Sequence, residues 1–181
     1  GENLVRRHVG LETRALDDYR VRYAQYRTDE DLQALHAAVP WAVVWDDHEV
    51  DNDYAGAIDE RDTPPEVFLL RRAAAYQAYY EMMPLRPSAF PHGPDMRIYR
   101  RFRFGSLLDF SVLDTRQYRS DQACNGDTVP LCDDARSPAR TMLGAWSTSR
   151  SCAVSTGATR GAFGMRNAAT PPATDTATVR M

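Results

Sequence analysis

WAVVWDDHEVDND, residues 41–53, opens as an uninterrupted apolar run and ends in a knot of carboxylates around one histidine. Trp41–Trp45 shows no polar alternation, the pattern of a short strand buried on both faces in a parallel sheet. Just upstream, TDEDLQALHAAVP offers Thr28 as an N-cap with Asp31 in the capping-box position, so a helix should run to Ala38 and stop before Pro40. A helix feeding a buried strand predicts an α/β fold. In such sheets functional side chains collect just beyond the carboxyl ends of strands, which is where Asp46, Asp47 and His48 stand.

Working outward, LDDYRVRYAQYR places Leu16, Tyr19, Tyr23 and Tyr26 on one helical face, a stripe suited to core packing. Pro64, Pro65 and Glu66 mark a helix start, and Leu69, Ala73, Tyr76, Tyr80 and Met83 follow at core spacing. Proline-rich PLRPSAFPHGP ends that helix in a loop. MRIYRRFRF and SLLDFSVLD, separated by Gly105, read as a hairpin or adjacent strands. Arg97, Arg100, Arg101 and Arg103 alternate with Ile98, Phe102 and Phe104, which favours a solvated strand face over a nucleic-acid stripe. The second strand ends in Asp114-Thr115-Arg116. There Arg116 could grip phosphate or carboxylate bidentately, or Asp114 could pair with Arg116 or Arg119 and pin the loop.

A chain of 181 residues, 43% apolar, is long enough for one domain with a real core. With 22 Lys and Arg against 25 Asp and Glu, its net charge of -3 provides no global basic field for nucleic acid as a stable partner or for an anionic membrane. No apolar run approaches the roughly 20 residues that a membrane span needs, and GENLVRRHVGLETR is not a signal peptide. The first residue is Gly1, so the sequence either follows a processing site or is a piece of something longer. Cys124 and Cys132 are spaced for a short disulfide loop, which would favour an exported protein, or else are two free thiols.

From about Ala145 the composition shifts to Ala, Thr, Ser, Arg and Gly with a single acid, Asp175. Residues 146–181 carry no helix or strand period. They read either as a disordered linker or as an out-of-frame translation of a GC-rich gene. AWSTSRSC written in GC-rich codons and read from the third base gives LVDEQVV, an amphipathic helix pattern that the observed tail lacks.

Oxygen and nitrogen donors stand at Asp46, Asp47, His48, Glu49, Asp51, Asn52 and Asp53, and the carboxylates among them repel one another unless cations, hydrogen bonds or open water compensate them. A divalent or trivalent metal is the most economical compensation, and hard oxygens with a histidine suit calcium, manganese, iron or zinc. A solvated turn is the alternative. A metal can polarise a phosphoryl oxygen while a histidine protonates the leaving oxygen.

VPWAVVWDDHEVDNDYAG, with VRRHVGLETRALDDYRVRYAQYRTDEDLQALHAA before it and LDTRQYRSDQAC after it, closely resembles the PhoD-like metallophosphatases, the alkaline phosphatase D group of the calcineurin-like superfamily. The match is collinear over residues 4–145. The resemblance implies a four-layer αββα core, incomplete at both ends, over residues 1–145, with 146–181 an aberrant tail. It implies an exported enzyme that hydrolyses phosphate mono- or diesters at a calcium and iron type cluster. Asp47 falls where the superfamily's ligand Asn sits and His48 where its catalytic histidine sits, while Asp46 with Asn52 or Asp53 would complete the metal set. Asp53 departs from the Asn common at that position, and Arg116 is a further candidate for substrate. The family's Gly-Asp-Tyr ligand motif and distal histidine motif are absent, and His8, His36 and His92 do not replace them, so this chain alone is expected to be inactive. A structural calcium-binding or interaction module without catalysis is the other reading.

Overall fold

Among the described residues, three α-helices, α1 (Leu16–Arg27), α2 (Glu30–Ala38) and α3 (Pro65–Met82), precede a two-stranded antiparallel sheet of β1 (Arg100–Phe104) and β2 (Leu108–Val112). They come from a computed structural model that describes residues 6–126 and 132–144; the tail at 146–181 lies outside the described residues. The expected hairpin is present, with Phe102 opposite Phe110 and Gly105 at φ 56° turning the chain where a side chain would be strained. Arg101 and Arg103 both pair with Asp109 on the neighbouring strand, so the arginine run is a salt-bridged strand face.

Helix α3 is the centre of the core. Pro65 in the first turn has no N–H to orphan, and Pro64's carbonyl takes the amides of Val67 and Phe68 at 2.9 and 3.0 Å. The buried face is Phe68, Arg72, Ala75, Tyr76 and Tyr79, turned about one residue from the expected stripe of Leu69, Ala73, Tyr76, Tyr80 and Met83. Arg72 causes the difference. Its guanidinium is buried because it donates to the carbonyls of Pro94 (2.9 Å) and Gly56 (2.6 Å) and pairs with Asp95 at 3.2 Å. Hydrophobic spacing assigns such an arginine to solvent. Helix α1 lies against α3 through Tyr19 and Tyr23, with Tyr23 edge-on to Tyr79 and Arg20 forked onto Glu81 at 2.7 Å.

Two further sequence expectations are corrected. Helix α2 is capped by Asp29, whose side chain accepts the Leu32 amide at 3.0 Å, while Thr28 closes α1 by donating its hydroxyl to the Gln25 carbonyl. An aspartate one residue on competes for the cap as well as a threonine does. The second correction concerns Trp41–Trp45, which forms no strand among the described residues. Val43 and Trp45 are buried while Ala42 and Val44 are exposed, and the Val43 carbonyl accepts from Arg100 Nη2 at 2.7 Å instead of from a sheet neighbour. An apolar run reports burial but does not supply the ladder that makes a strand. Trp45 lies flat on Tyr76, centroids 4.1 Å apart, and this stack seats the start of the following loop on α3.

The loop beyond Trp45 is tied to the helices by a chain of charges. Asp51 accepts from Arg71 Nη1 at 2.5 Å, Arg71 Nε donates to the Tyr19 hydroxyl, and that hydroxyl donates to the Val50 carbonyl at 2.6 Å. Arg71 also reaches Glu12, which pairs with Arg61 at 2.7 Å. The Arg61 hydrogen bond, outweighing partial burial, draws the Glu12 carboxyl down to about 2 from its ordinary 4.5.

Phe68→Ala should cost about 3–5 kcal/mol in urea unfolding, whereas Leu70→Ala, on the same helix but 72% exposed, should change it by no more than about 0.5 kcal/mol. Glu12 supplies a pH signature. Because its folded pKa is depressed, its contribution is complete above the unfolded value and fades as pH falls through about 2. The difference in urea midpoint between wild type and Glu12→Gln should therefore be constant at neutral pH and close as the acid range is crossed; a difference that widens on acidification would contradict the pairing.

Candidate functional site

Asp114, two residues beyond the end of β2, is fully buried, and its carboxylate gathers four donors. Its Oδ1 accepts Trp45 Nε1 at 3.1 Å and the amides of Arg116 (3.0 Å) and Gln117 (2.9 Å), and its Oδ2 accepts Gln117 Nε2 at 3.1 Å. A charge taken out of water survives only when its lone pairs are filled in this way. The Gln117 amide also bridges the Met96 backbone through both its N–H and C=O. One carboxylate thus joins the loop after Trp45 to the loop after β2. Sequence reasoning treated Asp114 as a partner for guanidinium groups. The signal it passed over is an Asp whose side chain faces the amides two and three residues on, the pattern of an Asx turn.

With those loops joined, Arg116 reaches across to the carboxylates. Nε and Nη2 donate to Asp46 Oδ1 at 3.0 and 2.6 Å, Nη2 stands 3.9 Å from Asp47 Oδ1, and Nη1 stands 3.7 Å from Asp53 Oδ1. Burial disfavours the charged guanidinium, but Asp46 above all, with Asp47 and Asp53, outweighs it and raises its pKa. Arg116 therefore compensates three of the aspartates for which composition suggested a metal.

The remaining predicted residues are placed as follows. Asp47 is buried, its Oδ1 accepting the His48 amide and its Oδ2 the Asp53 amide, both at 3.0 Å. Burial pushes its pKa up, yet the Asp53 amide together with Arg116 and His48 brings it below the ordinary carboxylate value. Its carbonyl closes the turn by accepting the amides of Val50 and Asp51. Asp46 is exposed, and its amide donates to Glu49 at 2.8 Å. His48 is exposed and Asn52 half-buried. Asp53 adopts φ 52°, a left-handed conformation that Asn and Asp tolerate best, and its carbonyl accepts from Arg119 Nη2 at 2.7 Å. Sequence reasoning offered Arg119 as a partner for Asp114, whereas it binds the Asp53 carbonyl, and it missed the Arg71–Asp51 tie.

Fitness for a metal can be judged from these donors. Among the described residues, no three His, Cys, Asp or Glu side chains converge so as to hold an ion. Asp46, Asp47 and Asp53 are turned onto Arg116, so these residues do not form a metal centre by themselves. Cys124 and Cys132 form a disulfide, closing a loop beyond the arginine segment. No helix among the described residues is long and apolar enough to cross a membrane.

Comparison with known proteins agrees with the collinear motifs. The family model for PhoD-like phosphatase matches residues 1–148. Alkaline phosphatase D of Bacillus subtilis (strain 168) is 59% identical over 140 residues, which is 77% of this chain and 24% of that protein. A solved structure of PhoD superposes with a TM-score of 0.78 at 57% identity, covering 81% of this chain and 28% of that one. The chain thus spans about a quarter of the length of the relatives it matches. Its mixed helix and strand architecture is part of their fold. On the breadth of the family match and this level of identity, the chain belongs to the PhoD-like phosphatase family.

Proposed function

We propose that this chain carries the substrate-gripping part of a phosphoesterase site, one that hydrolyses phosphate mono- or diesters and depends on metal ions of the calcium and iron type. The observation that carries this reading is the Arg116 fork. Its Nε and Nη2 point together at one oxygen of Asp46, a side chain 74% exposed. A fork that already holds an exposed carboxylate can exchange it for a phosphate, whose oxygens match the same geometry and carry more charge. Arg116 is the binding residue in this reading, and the exposed imidazole of His48 on the facing loop is the proton donor to the leaving oxygen. Asp47 keeps His48 in place by accepting its backbone amide.

Metal dependence belongs to the proposal through Asp46, Asp47, Asn52 and Asp53. Since no three donors converge among the described residues, a centre would need further ligands, and the chain alone is proposed to be inactive. The disulfide supports export, because such bonds persist in oxidising compartments. Residues 146–181 are proposed to add nothing to the site.

Phosphorus NMR titration of inorganic phosphate tests the grip: Arg116→Ala should weaken binding about tenfold or more, the loss of a charge-assisted bond. Undiminished binding would remove Arg116 from the role. In a 4-nitrophenyl phosphate assay with calcium and iron present, wild-type turnover should not exceed the metal background. Robust turnover that survived His48→Ala would overturn both the assignment of His48 and the inactivity of the chain.

A further inference from the structure

A cavity of about 910 Å³ lies beside the carboxylate loop, between the N-terminal segment, α1 and α2. Its walls include the rings of Tyr19, Tyr23, Tyr26 and Trp41, and His48 and Asn52 also line it. Trp41 is stacked with His36, which also lines the cavity, their rings parallel within 9° and 4.0 Å apart. Leu11, Leu32 and Met83 add apolar surface. This volume is in the range that holds a drug-sized molecule. The space therefore adjoins the residue proposed to protonate the leaving oxygen, and it combines aromatic rings with a charged rim that includes Glu12, Glu49, Arg27 and Arg61.

We infer that this cavity is a subsite for the aromatic alcohol portion of an aryl phosphate ester, resting on the reading of His48 and Arg116 given above. An ester has two ends with different demands. Its phosphoryl group requires cations, which Arg116 supplies; its alcohol requires a place to leave water, which the Tyr and Trp walls supply. Offset or edge-on packing on these rings favours a flat aromatic ring over a flexible polyol, which would give up its hydration for little contact. The wall residues also contain polar atoms in want of a partner: Arg22 Nε, the Tyr23 hydroxyl and Trp41 Nε1 are buried with no hydrogen-bond partner among the described residues. Each unmade bond is a cost that an oxygen-bearing occupant able to reach it would relieve. The Tyr26 hydroxyl and Arg22 are already linked through His8, at 2.7 Å on each side of the imidazole, so the outer wall is held as one unit.

The probes are 1-naphthol, 1-naphthyl phosphate and glycerol 3-phosphate, titrated into the wild-type chain by calorimetry and by tryptophan fluorescence. Naphthol without any phosphate should bind, glycerol 3-phosphate should not compete with it, and naphthyl phosphate should bind at least tenfold tighter than naphthol. Trp41→Leu and, separately, Tyr26→Ala should each weaken naphthol severalfold; Tyr26 is 36% exposed, so the second variant keeps the test valid if the first fails to fold. Arg116→Ala should leave naphthol affinity unchanged while removing the advantage of the phosphate. If naphthol fails to bind at millimolar concentration, or binds both variants as well as wild type, the subsite is overturned even where inorganic phosphate still binds. If naphthol binds as described but inorganic phosphate does not, the subsite stands and the phosphoryl grip falls.

Discussion

The buried carboxylate of Asp114 is the constraint on which the arrangement rests. A charge at zero exposure has to be met by donors, and here they come from two segments far apart in sequence: the indole of Trp45 and the backbone that carries Arg116 and Gln117. Trp45 is itself fixed by its stack on Tyr76 of α3. The helix core, the carboxylate loop and the arginine loop are thereby referred to one point. Arg116 arrives among Asp46, Asp47 and Asp53 because its own amide is bound to Asp114, two residues earlier in the chain.

The consequence is a site whose charge balance is internal. Seven oxygen and nitrogen donors within eight residues looked in need of a metal, and the folded chain meets much of that need with arginines. Arg116 takes Asp46 and stands beside Asp47 and Asp53; Arg71 takes Asp51. Backbone amides occupy both oxygens of Asp47. This leaves a guanidinium fork facing an exposed carboxylate, the geometry in which arginines grip oxyanions. Members of the same family are named phosphatases, and the fork is consistent with that chemistry.

Much of this was legible in the sequence where a local rule acts alone. The helical course of α1, the start of α3, the end of α2 before Pro40 and the hairpin at Gly105 follow from aromatic spacing, prolines and a single turn glycine. The collinear motifs led to the family. Legibility failed where a long-range polar contact overrides the local pattern. Buried Arg72 rotated the face of α3, and Arg100 took the Val43 carbonyl that a strand neighbour would have taken. Asp114 looked like an ion-pair partner, yet it is filled by an indole and by amides that no spacing rule brings together. In the site, the individual residues Asp46, Asp47, Asn52, Asp53, His48 and Arg116 could be singled out, but the facing of Arg116 onto three aspartates depends on that same long-range tie.

Native-state hydrogen exchange tests this dependence most directly, because groups that share one structural unit open together with one free energy. The Trp45 indole N–H and the amides of Arg116, Gln117 and Asp53 should exchange with a common opening free energy in the wild-type chain. In Trp45→Phe, which keeps the ring stack but removes the donor, the three amides should be released together and by the same amount. If the Arg116 and Gln117 amides keep their wild-type protection in that variant, the two loops are held independently and Asp114 is not the point that joins them.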